Sequence, residues 1–305
     1  CSSLIIIILG IIITAKDTFI GVFSNLNDNY ESKYICVIDR ENIDIEYEKN
    51  HNKKAYPASL TKIMTSIVAL ENIEDLSAIV PVDIETYRIM VSKNSSMAGF
   101  YGKEQVSYRD LLYGTILSSG GEAANSLAIH VGGSIDNFVK MMNEKVAELE
   151  LKYTHFTNPE GLHDDQQYTI ASDMAKLLDY ALENEDFREI FTKKTFKTTQ
   201  TLDHPNGIVL QSTVLSRLEE VSQDGFEIIG GKSGTTSKAG QCWATLGIKD
   251  GGEYISIVMG APLNDLGNPD MKQREDTIKL FENINEDNTS LLDKVTKYIM
   301  NRLSR

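Results

Sequence analysis

The sequence predicts an α+β protein, which is α/β in the broad sense: one antiparallel sheet built from N-terminal and C-terminal strands, flanked by helices, with a mostly helical lobe. Two observations predict this class. β-rich runs stand near both ends of the chain, and the segments between them carry apolar residues at three- and four-residue spacing. The order is strands, many helices, strands and a helix. The terminal strands must therefore meet in one sheet.

The first elements are a hairpin and a helix. "KYICVIDREN" and "IDIEYEKN" are β-rich runs that meet around residues 40–42, which predicts a hairpin. A helix follows over about residues 57–72. Ser107 and Asp110 have the spacing of a capping box, so "SYRDLLYGTILSS" is predicted to be helical. Three further helices fit the apolar spacing: Gly121–His130, Ile135–Glu150 and Ala171–Glu183.

The C-terminal part of the chain returns to β structure. "FEIIGGKSG", "GQCWATLGIKD" and "EYISIVMGA" are three short β runs. Gly251 and Gly252 lie between the last two runs and predict a hairpin turn. A helix over about Arg274–Asn283 follows the last run. We see no internal repeat and no low-complexity tract.

Composition excludes some classes of function. The chain has 305 residues, of which 41% are hydrophobic, enough for one large domain or two small ones. Its 44 acids against 30 bases give a net charge of −14, so we expect no nucleic-acid partner, because phosphate binding needs a basic face. No Cys/His spacing predicts a metal site. An exported protein permits a disulfide between Cys36 and Cys242, but we expect buried free thiols in two strands.

The N-terminal segment "CSSLIIIILGIIITAK" predicts export. Its apolar run, Leu4–Ile13, is shorter than the roughly 20 residues of a membrane span. It fits the apolar region of a secretory signal, with Thr14-Ala15 as a weak cleavage site and the charged start truncated. A buried first strand or helix is the alternative. We therefore interpret residues 1–28 as a signal peptide or membrane anchor with a linker, and expect an extracytoplasmic protein that is associated with a membrane or faces the cell wall.

The C-terminal segment predicts an amphipathic helix over residues 286–305, after a catalytic domain over residues 29–285. Its apolar stripe consists of Leu291, Leu292, Val295, Tyr298, Ile299 and Leu303. Such a helix can lie on a membrane. Packing against the domain is an equally good interpretation of the same stripe.

Ser59 and Lys62 place a hydroxyl group and an amine in a predicted helix that is otherwise mostly apolar. Residues i and i+3 share a helix face, so Lys62 can reach the Ser59 hydroxyl. A serine nucleophile needs a neighbouring base, and a lysine serves when burial and a second cation lower its pKa from about 10.4 toward 7–8. The helix N-terminus also places the Ser59 N–H where an oxyanion can bind. Because roughly one S-x-x-K is expected by chance in such a chain, the pair alone does not determine a function.

Two further polar stretches fit the same chemistry. Lys232, Ser233 and Gly234 end one β run, where the lysine supplies a fixed cation, the hydroxyl contacts a carboxylate and the glycine lets a substrate approach the backbone. A polar hairpin is the alternative. Ser119, in "ILSSGGEAANSLA", can bring a hydroxyl to the same cleft, although taken alone it is better explained as an N-cap.

These stretches together resemble the signature of serine β-lactamases and penicillin-binding proteins: S-x-x-K, S-x-N and K-T-G. Over roughly residues 33–283 the chain is similar to the low-molecular-mass branch, the serine D-alanyl-D-alanine carboxypeptidases. Four segments follow that family's pattern and order: "PASLTKIMT", "LLYGTILSSGGEAANSLA", "FVKMMNEKVAELELKYTHFTNPEGL" and "YTIASDMAKLL". The resemblance implies a β-lactamase/transpeptidase-like fold, no cofactor, action on the D-Ala-D-Ala end of the peptidoglycan pentapeptide stem, and covalent inhibition by β-lactams.

The resemblance also implies roles for individual residues. Ser59 corresponds to the acylated nucleophile and Lys62 to its general base. Ser119 corresponds to the S-x-N serine that relays a proton to the leaving group. The N–H groups of Ser59 and Thr235 correspond to the oxyanion hole.

The substrate-binding residues follow in the same way. Residues 232–234 correspond to K-T-G, with Ser233 in place of threonine. Arg274 stands near where relatives place a basic residue at the cleft, so we expect it to bind the terminal carboxylate, with a surface charge at a helix start as the alternative. Gly121 departs from the pattern, because it replaces the S-x-N asparagine that helps hold the substrate backbone. We expect this loss to weaken turnover roughly 5- to 150-fold, unless Asn125 reaches the gap.

Three functions are compatible with these residues. The first is a carboxypeptidase that acylates Ser59. The second is a class A-like β-lactamase, but no E-x-x-x-N motif lies between Ser119 and Lys232, and Glu160 falls in an N-P-x-G-L turn that we interpret as structural. The third is a catalytically weak penicillin-binding module, which Gly121 suggests. We expect the first.

Overall fold

The structure is a computed structural model that describes residues 30–284. In this range the chain forms nine strands and eight α-helices. The strands are β1 (Tyr34–Asp39), β2 (Ile45–Lys49), β3 (Ile79–Pro81), β4 (Gln105–Ser107), β5 (Thr195–Lys197), β6 (Val209–Gln211), β7 (Phe226–Thr236), β8 (Gly240–Lys249) and β9 (Gly252–Ala261). The helices are α1 (Thr61–Asn72), α2 (Ile84–Ser92), α3 (Tyr108–Ile116), α4 (Gly121–Gly132), α5 (Ile135–Glu148), α6 (Ala171–Leu182), α7 (Glu185–Thr192) and α8 (Lys272–Asn283).

The main sheet joins the two ends of the described chain. Its order is β2-β1-β9-β8-β7, and all four pairings are antiparallel. Tyr34 of β1 lies opposite Met259 of β9, so the predicted meeting of terminal strands is confirmed. β7 lies at one edge, which leaves one side of its backbone without a partner strand. The short pairs β3–β4 and β5–β6 form two small sheets outside it.

The predicted helices are present, with small shifts at their ends. The Ser107 hydroxyl accepts a hydrogen bond from the Asp110 N–H, and the Asp110 carboxylate accepts from Ser107, so the capping box at α3 is confirmed. The helix predicted over 57–72 is a 3₁₀ turn, Ala58–Leu60, followed by α1. α2 and α7 were not predicted, because each has only eight or nine residues, too few for the pattern to stand out.

α1 is the central helix of the molecule. Every residue from Thr61 to Leu70 is buried, which explains why this segment is apolar nearly all round. It packs on α3, α4 and α6, while the 3₁₀ turn at its N-terminus lies against β7. Burying each large side chain of α1 contributes roughly 1.5–3 kcal/mol. The core thus holds the start of α1 firmly beside the edge strand of the sheet.

The two cysteines of the described chain are free thiols. Cys36 lies in β1 and Cys242 in β8, and β9 separates these strands. Strands two positions apart stand roughly 10 Å from each other, farther than the Cα separation of a disulfide. Burial raises the pKa of both thiols to about 12. Buried free thiols are therefore confirmed, and the disulfide is excluded.

Both predicted terminal segments lie outside the described residues. The leader over residues 1–28 and the amphipathic helix over residues 286–305 therefore stay predictions. Within residues 30–284, none of the helices is both long enough and apolar enough to cross a bilayer.

Candidate active site

Ser59 sits in the 3₁₀ turn that precedes α1. Ala58, directly before it, has φ +47°, a conformation that costs a non-glycine residue roughly 1–3 kcal/mol. Two glycines press on this turn. A Cβ at Gly161 would lie 2.1 Å from the Ala58 carbonyl oxygen, and one at Gly234 would lie 2.9 Å from the Ser59 nitrogen. The close approach of both backbones holds the strained turn and leaves the Ser59 side chain partly exposed.

Lys62 lies directly behind Ser59. Its Nζ donates hydrogen bonds to Ser59 Oγ at 3.2 Å and to the carbonyl oxygen of Glu160. The side chain is almost fully buried, and burial lowers its pKa from 10.5 to about 8, although the charges of Glu160 and Glu122 oppose this change. At pH 7 roughly a tenth of such an amine is neutral, against about one in 3,000 at the ordinary pKa. The arrangement therefore supplies a base for the Ser59 proton.

Lys232 and Ser119 form a second amine–hydroxyl pair. Lys232 Nζ donates to Ser119 Oγ at 2.8 Å and to the Ser233 carbonyl oxygen at 2.7 Å, and both side chains are buried. Ser119 has φ +59° in the loop between α3 and α4, so its backbone is strained, as that of Ala58 is. Burial, then Lys62 and Arg217, hold the pKa of Lys232 well below its ordinary value. Burial and the two neighbouring cations oppose the charged form of Lys232, so our expectation of a fixed cation there stays a prediction.

The end of β7 presents the remaining predicted residues. The hydroxyls of Ser233 and Thr213 are hydrogen-bonded at 2.7 Å, and the Thr213 N–H donates to the Leu117 carbonyl at 3.1 Å. Gly234 lies against the Ser59 turn, and Thr235 follows it on the strand. Since β7 is an edge strand, its free side can pair with an extended peptide beside Ser59.

Gly121 has no space for a side chain. It begins α4, and its N–H donates to the Ser96 carbonyl at 2.8 Å. A Cβ here would lie 2.8 Å from both Met90 Sδ and Ser95 Oγ, and its φ is not in the left-handed region. The structure has closed around the glycine. Asn125 lies below it, where its Nδ2 donates to the Gly121 carbonyl at 3.0 Å.

Arg274 and Arg217 form a pair of neighbouring cations. Arg274, in the first turn of α8, donates from Nη1 to the Arg217 carbonyl oxygen at 3.2 Å. Burial and the charge of Arg274 lower the pKa of Arg217. The charge of Arg217 in turn lowers the pKa of Lys232. Within residues 30–284 neither arginine has a carboxylate partner. Two unpaired guanidinium groups next to Lys232 make this part of the cleft attractive to an anion.

Several of these residues were beyond sequence reasoning. Thr213 and Arg217 follow β6, Thr213 in an irregular segment and Arg217 in a short 3₁₀ turn, and no sequence pattern marks either of them. Glu160 lies in the turn that we interpret as structural, and its carbonyl oxygen accepts a hydrogen bond from Lys62. Among the described residues there is no group of three or more His, Cys, Asp or Glu side chains that could hold a metal ion.

Known proteins share both the sequence and the fold. Residues 22–263 match the model of the family described as D-alanyl-D-alanine carboxypeptidase. The carboxypeptidase DacF of Bacillus subtilis is 28% identical over 232 residues, which cover 76% of this chain and 58% of DacF. DacA of Haemophilus influenzae is 33% identical over 221 residues, or 70% of this chain and 53% of DacA. The chain thus spans somewhat more than half the length of these relatives.

Solved structures show the same fold. The DD-transpeptidase of Streptomyces K15 superimposes with a TM-score of 0.73 at 23% identity, covering 84% of this chain and 97% of that one. A point mutant of that enzyme gives a TM-score of 0.75 at 24% identity, with 84% and 98% coverage. The predicted transpeptidase-like fold is therefore confirmed.

Proposed function

The chain belongs to the D-alanyl-D-alanine carboxypeptidase family, and on that premise we propose that it removes the terminal D-alanine from peptidoglycan stem peptides. The single observation that carries the proposal is the Ser59–Lys62 contact: a partly exposed hydroxyl 3.2 Å from a buried amine whose pKa is about 8. The same hydroxyl is then the site at which penicillin and other β-lactams acylate the enzyme.

In the acylation step, neutral Lys62 takes the Ser59 proton as Oγ attacks the carbonyl carbon between the two D-alanines. The N–H groups of Ser59 and Thr235 stabilise the negative charge that develops on the carbonyl oxygen. Ser119, hydrogen-bonded to Lys232, gives its hydroxyl proton to the departing amine and regains a proton from the ammonium group of Lys62. The peptide bond breaks, D-alanine leaves and an ester links the peptide to Ser59.

Hydrolysis of the ester reverses the proton movements. Water attacks the ester carbonyl and gives its proton to the lysine–serine network, and Ser59 recovers its hydroxyl proton. The buried positions of Lys62 and Lys232 favour neutral amines, which can accept these protons.

The substrate lies extended along the free side of β7. Gly234 allows its backbone to approach the nucleophile, and the Ser233 hydroxyl contacts its terminal carboxylate. Arg274 and Arg217 bind the same carboxylate, because their neighbouring positive charges lack a partner in the described chain. Arg274→Ala should raise the Michaelis constant for the peptide with little change in kcat. Unchanged kinetics would leave Arg274 as a surface charge.

A catalytically weak penicillin-binding module is the second candidate. The observation in its favour is the closure of Met90 and Ser95 around Gly121, where relatives of this family carry a substrate-binding amide. Release of D-alanine from a D-Ala-D-Ala peptide separates the two functions. A module of this kind would form the penicillin adduct at Ser59 without such release.

Intact mass spectrometry after incubation with penicillin tests the proposal directly. We expect one adduct that maps to Ser59 and is absent from Ser59→Ala. An adduct that survives this substitution, or maps to another residue, would contradict the mechanism. Slow return to the unmodified mass, together with release of D-alanine from the peptide, would support a carboxypeptidase, whereas rapid turnover of penicillin would indicate a β-lactamase.

We also propose that the protein acts outside the cytoplasm, near the membrane or the cell wall, because its substrate is there and residues 4–13 resemble the apolar part of a signal. Protease added to intact cells should digest the protein, and protection from digestion would contradict this. Sedimentation with lipid vesicles tests whether the apolar stripe in residues 286–305 binds membranes.

A further inference from the structure

Gln241, near the start of β8, carries a side-chain amide that is fully buried. Its Oε1 accepts a hydrogen bond from the Met271 N–H at 3.1 Å. Its Nε2 donates to Asp270 Oδ1 at 2.7 Å and to the carbonyl oxygen of Pro262. Pro262 follows β9 and Met271 precedes α8, so these three hydrogen bonds join β8 to both ends of the loop that connects β9 with α8.

The start of α8 depends on these contacts. Met271, the residue before the helix, has φ +60° and provides no side-chain cap. This left-handed conformation is strained for a non-glycine residue and persists only where the surrounding structure holds it. Gln241 supplies such a contact, because its Oε1 binds the Met271 N–H directly. The carbonyl oxygen of Met271 accepts a hydrogen bond from the Arg274 N–H at 2.9 Å, so this strained residue connects Gln241 with the first turn of α8.

Arg274 extends from this first turn toward the cleft. Its Nη1 donates to the Arg217 carbonyl oxygen at 3.2 Å, in the 3₁₀ turn that follows β6. The other end of the connection is in the main sheet, where Gln241 lies opposite Thr235 of β7. The position of the Arg274 guanidinium relative to β7 therefore depends on how firmly Gln241 holds the start of α8.

We infer that Gln241 is a positioning residue for substrate binding: it holds the start of α8 against β8, so that Arg274 meets the terminal carboxylate of the substrate. The inference rests on the proposed function, in which Arg274 binds that carboxylate. A side-chain amide suits this place because it offers a donor and an acceptor at once. The acceptor binds a backbone N–H at the helix start, and the donor binds the two oxygens at the ends of the loop.

Gln241→Met tests the inference, because methionine keeps an unbranched side chain of similar length but lacks the amide. For a D-Ala-D-Ala peptide, we expect the Michaelis constant to rise roughly three- to tenfold while kcat changes little. The rise should be smaller than for the loss of a whole charge-assisted hydrogen bond, because Arg274 is displaced and not removed. In an Arg274→Ala background, Gln241→Met should raise the Michaelis constant no further.

A pair of covalent probes separates this role from a merely structural one. Penicillin carries a carboxylate, whereas its methyl ester has the same β-lactam ring without the negative charge. In Gln241→Met, the efficiency of Ser59 acylation by penicillin should fall roughly three- to tenfold, and acylation by the methyl ester should keep its wild-type efficiency. A disturbed oxyanion hole at Thr235 would slow both compounds equally, because both reactions place negative charge there. Intact mass spectrometry over time measures both rates.

Two further variants serve as controls. Asn184→Ala removes the N-cap of α7, where Asn184 Oδ1 accepts a hydrogen bond from the Phe187 N–H at 3.0 Å, and α7 carries none of the residues that we place in the site. It should lower the melting temperature and leave the Michaelis constant unchanged. If Gln241→Met does not fold, Met271→Gly is added to it, because glycine adopts φ +60° without strain. Compared with Met271→Gly alone, this double variant should lose acylation efficiency with penicillin and not with the methyl ester.

The outcomes separate the two proposals. Equal losses for penicillin and its methyl ester, no loss for either, or a further loss in the Arg274→Ala background would overturn the inference about Gln241 alone. A wild-type protein that is acylated at Ser59 but releases no D-alanine from the peptide would overturn the carboxypeptidase function, and the two probes would still decide the role of Gln241. A wild-type protein that forms no adduct and releases no D-alanine would overturn both.

Discussion

Two groups of cations in this molecule have opposite environments. In the cleft, Lys62 and Lys232 are buried, and within the described chain their amines are bound by hydroxyl and carbonyl oxygens instead of carboxylates. In the second group, Arg40 and Arg188 bind the carboxylate of Glu253. Burial lowers the pKa of the lysines. Carboxylate partners raise the pKa of Arg40.

In the arginine group, carboxylate partners change the pKa of Arg40 more than burial does. Arg40 is 10% exposed and contacts Asp179 at 2.8 Å, Glu183 at 2.6 Å and Glu253 at 2.6 Å. Burial alone would lower the pKa of Arg40, but the hydrogen bonds to Asp179 and Glu253 raise it. These contacts connect β1, β9 and α6. The comparison teaches that a buried cation stabilises a fold when acids accompany it and becomes a reactive base when they are kept at a distance.

Removing the reactive cation should have the largest effect. Lys62→Met should lower the rate of penicillin acylation by roughly 10²- to 10⁴-fold, the usual contribution of a general base. Time-resolved mass spectrometry of the adduct measures it. The matched control is Lys145→Met, because Lys145 is also a helical lysine whose side chain is mostly buried, but it is paired with Glu71 and Glu148. It should retain the wild-type acylation rate, and a loss as great as that of Lys62→Met would refute the comparison.

Breaking the carboxylate-paired group should change stability instead. Arg40→Met leaves Asp179 and Glu183 without this cation and leaves Glu253 with Arg188 alone. We expect the free energy of unfolding to fall by roughly 2 to 3 kcal/mol, less than for a fully buried pair because Glu183 is largely exposed. Urea denaturation measures it. Acylation by the folded fraction should be unchanged. A variant with normal stability and impaired acylation would reverse the roles that we give to the two groups.

Gly121→Asn should have a smaller effect, opposite to the gain in hydrolysis that the sequence alone suggests. Met90 and Ser95 occupy the space that the new side chain needs, so we expect the free energy of unfolding to fall by roughly 1 to 2 kcal/mol without faster hydrolysis. Thermal melting and D-alanine release measure the two quantities. Adding Met90→Ala should recover part of the stability. Faster hydrolysis by the single variant would show that the cleft can open around residue 121.

Lys232→Gln should produce the smallest change in the pH profile. A positive neighbour disfavours the protonated form of Lys62. Its removal should therefore move the acylation limb, the pH range in which the acylation rate rises as Lys62 loses its proton, to higher pH. The shift should be small, because burial lowers the pKa of Lys232 and so reduces the positive charge that it presents to Lys62. Stopped-flow acylation from pH 6 to 10 measures the limb, apart from any loss in plateau rate through Ser119. A limb that stays in place would mean that the two lysines titrate independently.

The predictable parts of the site were those set by local geometry. Ser59 and Lys62 are three residues apart, so a helical turn alone brings the amine to the hydroxyl. The capping box of Ser107 and Asp110 is equally local. The alternation of β runs and the Gly251 turn likewise predicted β7, β8 and β9 within one or two residues at most of their ends. In each case backbone periodicity fixes which side chains meet.

The order of the three motifs and their family resemblance predicted that residues far apart in the sequence meet in one site. They did not predict which contacts join these residues. Lys232 meets Ser119 across 113 residues, and Lys62 meets Glu160 across 98. Only the tertiary structure brought Arg217 near Lys232 and closed Met90 and Ser95 around Gly121. Periodicity specifies contacts within one turn or one strand pair, whereas burial and the approach of distant segments, which determine the charge of Lys62 and Lys232, depend on how the whole core packs.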